Sequence, residues 1–366
     1  MVHEQIHQAM RQLVQRGELT GAALAVNRGS EELWRGTWGW ADCAQTQPVT
    51  GETLWQLASM TKPIAAVCAL SLAERGLLEL DVPVTAFLPE LHAAVNGEPL
   101  MRPVTVRDLL THSSGLGMSL DGTSWALAHS RLDDTLAERM TRWSGQTIPA
   151  DFQPGTAAAY SPVVGFELLG RILELAGGKP LDALLRETVL APLGMVRTGF
   201  PDSTQGLARL CQPRSGVLCD VTDEPGVLQP FEAWHGGYFS ASAGLCSTLN
   251  EYNRFVRMLA GGGTLDGVTV LRPETARLLH REGAHTHLEA FPGCSWGLGL
   301  LIFQQPQLRG LAVAPGTYGW SGAYGCHFFL THDGSLSAVF MMNRADIGGA
   351  DSCIARLIEQ LVFSEF

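Results

Sequence analysis

Ser59-Met60-Thr61-Lys62, set between Trp55-Gln56-Leu57-Ala58 and the apolar run Pro63-Ile64-Ala65-Ala66-Val67-Cys68-Ala69-Leu70, decides how this chain is read. The pattern is Ser-x-x-Lys opening a helix. Serine and lysine at that spacing lie one turn apart on the same face, so hydroxyl and amine can touch. Pro63 fits the first turn, where backbone N–H groups lack internal partners anyway. Ser59 stands at the positive end of the helix dipole, where developing oxyanion charge is favoured. The same dipole, together with burial, disfavours protonated Lys62 and predicts a lowered pKa. A neutral amine beside a serine hydroxyl is what makes that hydroxyl a nucleophile. The plainer reading is a serine cap followed by a surface lysine, so the rest of the chain has to decide.

A serine hydrolase also needs an acid for the leaving group and an oxyanion hole. Tyr160-Ser161-Pro162 sits at the end of a loop just before a long helix, where a tyrosine can point into a cleft. A phenol ordinarily titrates near 10, too high for a base; a cation such as Lys62 beside it predicts a lower value and a shared proton. The plainer alternative is a tyrosine anchoring its loop by the hydroxyl. Gly319-Trp320-Ser321-Gly322-Ala323-Tyr324-Gly325 comes directly before a strand starting at Cys326. Small residues on an edge strand let a substrate lie along the backbone. The amides of Ser59 and Ala323 can then form the oxyanion hole. The plainer alternative is a glycine-rich turn with a buried Trp.

The chain has 366 residues, 46% hydrophobic and 17% charged, enough for two lobes and a sizeable core. Its net charge of −11 argues against a nucleic-acid partner. No uncharged apolar run reaches about 18 residues, so no membrane span or membrane partner is expected. The N-terminus lacks the basic-then-apolar pattern of a secretory signal. The eight cysteines are scattered without a Cys-x-x-Cys pair and read as mostly buried free thiols in a reducing cytoplasm. A Cys211–Cys219 disulfide is disfavoured by the same argument.

The organisation expected is α+β. A first helix covers His3 to Arg16; its His3-Glu4-Gln5-Ile6-His7 matches a zinc pattern but lies at a chain end without a third ligand. Ala22–Asn27 and Glu32–Trp40 read as strands joined by a turn at Arg28-Gly29-Ser30. The nucleophile helix ends near Gly76 and is apolar all round, hence central. From about Asp81 to Pro230 helical patterns predominate: Val106–Thr111, Asp133–Met140, Pro162–Ala176 and Leu181–Leu190. Strand patterns return after Trp234, with Trp296–Phe303 as one strand and Cys326–Leu330 and Leu336–Met342 as a hairpin, before a final helix Ser352–Phe363. Two early and three late strands predict an antiparallel sheet flanked by helices, with the chain ends packed together. The expected units are 1–80 with 231–366, carrying the sheet, and 81–230 as an inserted, mostly helical lobe. The site would lie in the cleft between them.

These three segments, in this order, resemble the serine β-lactamase/penicillin-binding-protein superfamily and, within it, the family VIII carboxylesterases. Ser59-Met60-Thr61-Lys62-Pro63-Ile64 matches the first motif, Tyr160-Ser161 the start of the second, and Trp320-Ser321-Gly322-Ala323-Tyr324-Gly325 is similar to the Trp-Gly-Gly block. Supporting matches are Leu109 to Leu116, Pro192-Leu193-Gly194-Met195 with Thr198 and Phe200, and Gly244 to Thr248. The resemblance spans roughly Leu19 to Leu361. It implies a class C-type β-lactamase-like fold, acylation of Ser59, and Lys62 holding the proton balance. It also implies Tyr160 as base for Ser59 and acid for the leaving group, and the Ser59 and Ala323 amides as the oxyanion hole. The division of the base role between Lys and Tyr is disputed across this superfamily.

Two departures narrow the expected substrate. Trp320 stands where efficient β-lactamases carry a lysine, and a neutral ring packs against an apolar group rather than pairing with a carboxylate. Pro162 replaces the asparagine that ends their second motif. Both favour neutral esters or amides and weak β-lactamase activity at most; Trp320, Ser321 and Gly322 are the expected substrate-binding residues. No Gly-x-Ser-x-Gly elbow is present, so a Ser-His-Asp triad has no anchoring motif. His112 reads as a loop brace, His235 as a cleft-lining residue, and His285 and His287 as a chance pair. No metal and no cofactor are expected. The leading expectation is a cytoplasmic serine hydrolase of small carboxylic esters. Alternatives are a D-amino-acid-type amidase or aminopeptidase, an acyltransferase with the same Ser-Lys-Tyr site, or a non-catalytic relative. The loop Gly115–Arg131 is expected to act as a lid or pocket wall.

Overall fold

The computed structural model describes residues 3–118, 120–131, 134–224, 237–281 and 288–366. His235, His285, His287 and Asp133 lie outside the described residues. Seven antiparallel strands form the main sheet: β1 (Gly21–Arg28), β2 (Glu31–Gly39), β3 (Cys294–Trp296), β4 (Leu301–Phe303), β5 (Thr317–Ser321), β6 (His327–Leu330) and β7 (Ser337–Met342). Their order is β3-β4-β5-β6-β7-β1-β2, so the early strands pair with the last one, Ala23 opposite Met341 and Ala25 opposite Val339.

Alternation along β1 sends its residues to two separate cores. Ala22, Leu24 and Val26 face helices α1 (Glu4–Gln15) and α5 (Cys353–Glu365) beside Phe329 and Phe340. Ala23 and Ala25 face the larger core, which contains α2 (Thr61–Glu74), α3 (Val164–Gly177) and α4 (Leu249–Ala260). A sheet covered on both faces must be apolar on both, which is why β7 is buried at every position. Every residue of α2 from Thr61 to Leu72 is buried, which makes it the central helix. The larger core also runs without a break into the segment 81–230, through Leu109, Trp143, Phe166 and Leu184.

Several local readings need correction. Trp296–Phe303 is not one strand but the hairpin β3–β4, because the chain turns at Gly297 to Gly299: Gly297 N–H bonds the Leu300 carbonyl, and Gly299 has φ +81°. Residues 120–128, inside the expected lid loop, form a helix. The segment 81–230 also holds small sheets, one of His92–Val95, Glu98–Pro99 and Thr147–Ala150, another pairing Cys211–Arg214 with Val217–Asp220. Leu181–Leu190 is a short helix running into a wider turn at Arg186.

The cysteines also depart from expectation at one pair. Cys43 and Cys211 form a disulfide, joining the loop after β2 to the strand at 211–214. Cys68, Cys246, Cys294 and Cys326 are buried free thiols, Cys219 is half-buried and Cys353 is exposed. The zinc-like pair at the first helix is otherwise engaged: the His3 ring stacks on Phe366 and pairs with Glu365, and His7 accepts a hydrogen bond from Trp38 Nε1. Among the described residues no helix is long and apolar enough to cross a membrane.

Candidate active site

The turn that carries Ser59 is held from three sides. Ala58, just before it, has φ +44°, a left-handed conformation unusual for a residue with a Cβ. Residues 58–60 form a single tight turn that runs directly into α2. Leu57 N–H bonds the Leu245 carbonyl, Leu245 N–H bonds the Thr61 hydroxyl at 3.1 Å, and the Tyr252 hydroxyl bonds the Met60 carbonyl at 2.9 Å. These contacts explain the segment Gly244 to Thr248: it braces the nucleophile turn. Thr198 reaches the same brace through the Ser247 hydroxyl at 2.7 Å and Glu251 at 2.7 Å.

Ser59, Lys62 and Tyr160 meet. The Tyr160 hydroxyl lies 2.6 Å from Ser59 Oγ and Lys62 Nζ lies 3.3 Å from it. Lys62 is fully buried, and its amine also donates to the Pro162 carbonyl at 2.8 Å and the Ser242 carbonyl at 2.9 Å. Burial pulls Lys62 down to about 7, against the Glu167 carboxylate, which favours the charged form. The expectation for Tyr160 is reversed. Its ring is only half-buried, but protein crowds its hydroxyl, and this desolvation pushes the phenol above its ordinary value despite the hydrogen bond to Ser59. The lowered group of the pair is therefore the lysine.

Tyr160 is positioned by its neighbours on both sides. The His112 carbonyl accepts from Ala159 N–H, and His112 Nδ1 accepts from Ser161 N–H at 3.1 Å. His112 is fully buried with φ +51°; burial and the nearby Lys62 hold its pKa below the ordinary imidazole value. The Ser161 hydroxyl bonds the Leu116 carbonyl and receives Gly165 N–H, closing the loop onto α3. Trp320 lies 4.8 Å from the Tyr160 ring and 4.7 Å from Trp296, with Phe291 beyond, in an aromatic wall.

The third segment needs two corrections. β5 is an interior strand, not an edge. Its pairing with β4 ends at Gly319, however, so Trp320 and Ser321 have no β4 partner, and both are buried. Ser321 is turned away from the site. Its hydroxyl lies 2.7 Å from His327 Nδ1, and His327 Nε2 faces Glu359 on α5 at 3.1 Å, all three residues being buried. Alternation explains this, because Trp320 and Ser321 must face opposite sides of the sheet. Gly322 is buried against the nucleophile turn, and Ala323, after it, is exposed.

Sequence reasoning missed the groups around the lysine: the carbonyls of Pro162 and Ser242, and Glu167. The visible signal was Glu167 itself, a carboxylate in the apolar run Val163 to Leu169, where an unpartnered charge would be strongly disfavoured. Among the described residues no cluster of three or more His, Cys, Asp or Glu side chains is arranged to hold a metal.

Known proteins are similar to this chain in sequence or in fold. Protein Rv1367c of Mycobacterium tuberculosis is 32% identical over 375 residues, covering 95% of this chain and 91% of that protein. Esterase EstB of Burkholderia gladioli is 32% identical over 361 residues, covering 91% of this chain and 88% of that one. Among solved structures, EstCE1, described as a hydrolase with promiscuous acyltransferase activity, superimposes with a TM-score of 0.85 at 24% identity, over 99% of this chain and 97% of that one. The Beta-lactamase family model matches residues 6–361, a span that takes in the sheet, the central helix and the Ser-Lys-Tyr cluster, and the chain belongs to that family.

Proposed function

We propose that this chain is a serine hydrolase that cleaves small neutral carboxylic esters through an acyl-Ser59 intermediate. The observation that carries the reading is the Ser59 hydroxyl held between a tyrosine hydroxyl at 2.6 Å and a buried amine at 3.3 Å whose pKa is drawn to about 7. The resemblance to Esterase EstB supports an ester as substrate.

The roles follow from hydrogen counts. Neutral Lys62 has two N–H bonds and one lone pair. The Pro162 and Ser242 carbonyls take the two hydrogens, which leaves the lone pair for Ser59. Lys62 takes the Ser59 proton as Oγ bonds the ester carbon and the carbonyl electron pair moves onto oxygen. The Ser59 and Ala323 amides receive that oxyanion. Collapse breaks the bond to the alcohol oxygen, which takes a proton from Tyr160, and Tyr160 is reprotonated by Lys62. Water then repeats the sequence on the acyl-enzyme. Trp320, with Trp296 and Phe291, forms an apolar wall suited to an acyl or alcohol group, and Trp320, Ser321 and Gly322 form the proposed substrate-binding segment.

In this reading residues 1–80 with 231–366 form one lobe and 81–230 the other. Ser59, Lys62 and Ala323 come from the first, Tyr160 and Pro162 from the second. The proposed setting is the cytoplasm, supported by the four buried free thiols; the Cys43–Cys211 bond speaks for an oxidising one.

Intact-protein mass spectrometry after brief exposure to p-nitrophenyl acetate, p-nitrophenyl butyrate and a D-alanine amide, beside Ser59→Ala, tests this. The expected result is an ester-derived acyl adduct on the wild type, absent from Ser59→Ala, that disappears in water. An adduct that persists until an alcohol is added would instead identify an acyltransferase, and turnover of the amide alone an amidase. Absence of both adduct and turnover with any of the three would overturn the reading.

A further inference from the structure

We propose that Glu167 is a positioning residue for Lys62, holding the Ser242 carbonyl that takes one hydrogen of the amine and supplying the negative charge that opposes its burial. This rests on the reading of Ser59 and Lys62 as nucleophile and base. Glu167 lies on α3 and is fully buried. One carboxylate oxygen, Oε1, accepts from the Ser240 hydroxyl at 2.5 Å, the Ser242 hydroxyl at 2.6 Å and Ser242 N–H at 3.2 Å. The Ser240 hydroxyl in turn accepts from Ala243 N–H. A single buried oxygen therefore pins the strand of chain whose next carbonyl, that of Ser242, meets Lys62 Nζ at 2.9 Å.

Charge and position are separable here. The carboxylate favours protonated Lys62 while desolvation disfavours it. The other titratable groups around this pair are Tyr160 and His112 near Lys62, and Tyr238 near Glu167, with Arg139 donating to the Tyr238 hydroxyl at 2.6 Å. On the outer side of α3, Arg171 and Glu174 pair with each other at 2.8 Å. Glu167 is the carboxylate that acts on the lysine. Without it a fully buried amine would titrate lower still, and the turn at 240–242 would lose its anchor. Glu167 touches neither Ser59 nor Tyr160 and takes no part in bond making.

Two variants separate the effects. Glu167→Gln keeps an oxygen for the two serines but removes the charge. Its acid limb in kcat/KM against pH should move down by about half a pH unit or more, with the midpoint of thermal unfolding little changed. Glu167→Asp keeps the charge but withdraws it by one methylene, so kcat should fall about tenfold or more while the acid limb stays in place. A Glu167→Gln profile superimposable on the wild type overturns the charge role, and full kcat in Glu167→Asp overturns the positioning role. If one variant does not fold, the other still decides its own half. The wild-type acyl adduct is measured alongside. Absence of both adduct and ester turnover sinks the underlying hydrolase reading, whereas Ser59-dependent turnover with unaltered variants sinks the Glu167 inference alone.

Discussion

Gly322 approaches Leu57 so closely that a Cβ on Gly322 would stand 2.2 Å from the Leu57 carbonyl oxygen. The end of β5 and the nucleophile turn are thereby fixed to each other, and the proposed oxyanion donor Ala323 follows directly in the chain. Gly322→Ala must push the two apart. Strain of this kind typically lowers stability by about 1–3 kcal/mol. Loss of one oxyanion donor lowers kcat by about a hundredfold or more. Ester kinetics and a thermal melt on the same preparation check both; unchanged kcat would remove Ala323 from the oxyanion hole.

As the proposed base, Lys62 is expected to set the pH profile. Its amine must be neutral to accept the Ser59 proton, so kcat/KM should rise with pH along a one-proton limb centred near 7. A limb centred near the ordinary lysine value would contradict that assignment.

The same group shapes stability. The folded-state pKa of Lys62 is depressed to about 7 from an ordinary 10.5. Between those values the unfolded chain binds the extra proton, so stability rises with pH across that window. Lys62→Met should abolish activity, flatten that rise and, near pH 7, unfold at a higher denaturant concentration than the wild type. The gain expected is a few kcal/mol. A Lys62→Met protein less stable than the wild type at pH 7 would mean that the amine's hydrogen bonds to Pro162 and Ser242 outweigh its desolvation.

Tyr160→Phe separates its two roles. A phenol held above its ordinary pKa stays protonated and so has a hydrogen available for a departing alkoxide, and poor leaving groups need that proton most. The loss in kcat/KM should therefore be larger for ethyl butyrate than for p-nitrophenyl butyrate, by about tenfold or more. Equal losses on both esters would favour Tyr160 as base for Ser59.

The Cys43–Cys211 bond predicts a thiol count. Denaturation without reductant should leave six alkylatable cysteines, and prior reduction should raise the count to eight. Eight in both cases would place the pair in its reduced form.

Much of this architecture was legible because it rests on short-range pattern. Ser59 and Lys62 share a helix face by spacing alone, and the short apolar runs of β1, β6 and β7, bounded by turn residues, mark buried strands. Other features depended on distant contacts. The split of β3 from β4 is set by Gly299, whose N–H bonds the Leu110 carbonyl from another part of the chain. The pKa order of Lys62 and Tyr160 depended on which group is desolvated more, which spacing does not reveal. The side to which Ser321 points was available in principle: once Trp320 is given to the site, strand alternation denies the next side chain to it. Glu167 was visible as a charge in an apolar run, but its partners Ser240 and Ser242 lie on a segment more than seventy residues away.

Full burial of Lys62 has a consequence for the history of a single hydrogen atom. An amine with no surface open to water exchanges slowly with bulk solvent during one acylation event. The hydrogen that starts on Ser59 should then stay within the site, passing through Lys62 to Tyr160, while the hydrogen Tyr160 held at the outset leaves with the alcohol. The trace this leaves is kinetic: ester turnover in heavy water should be slower than in light water, because the Ser59 hydrogen and the Tyr160 hydrogen both move inside the site.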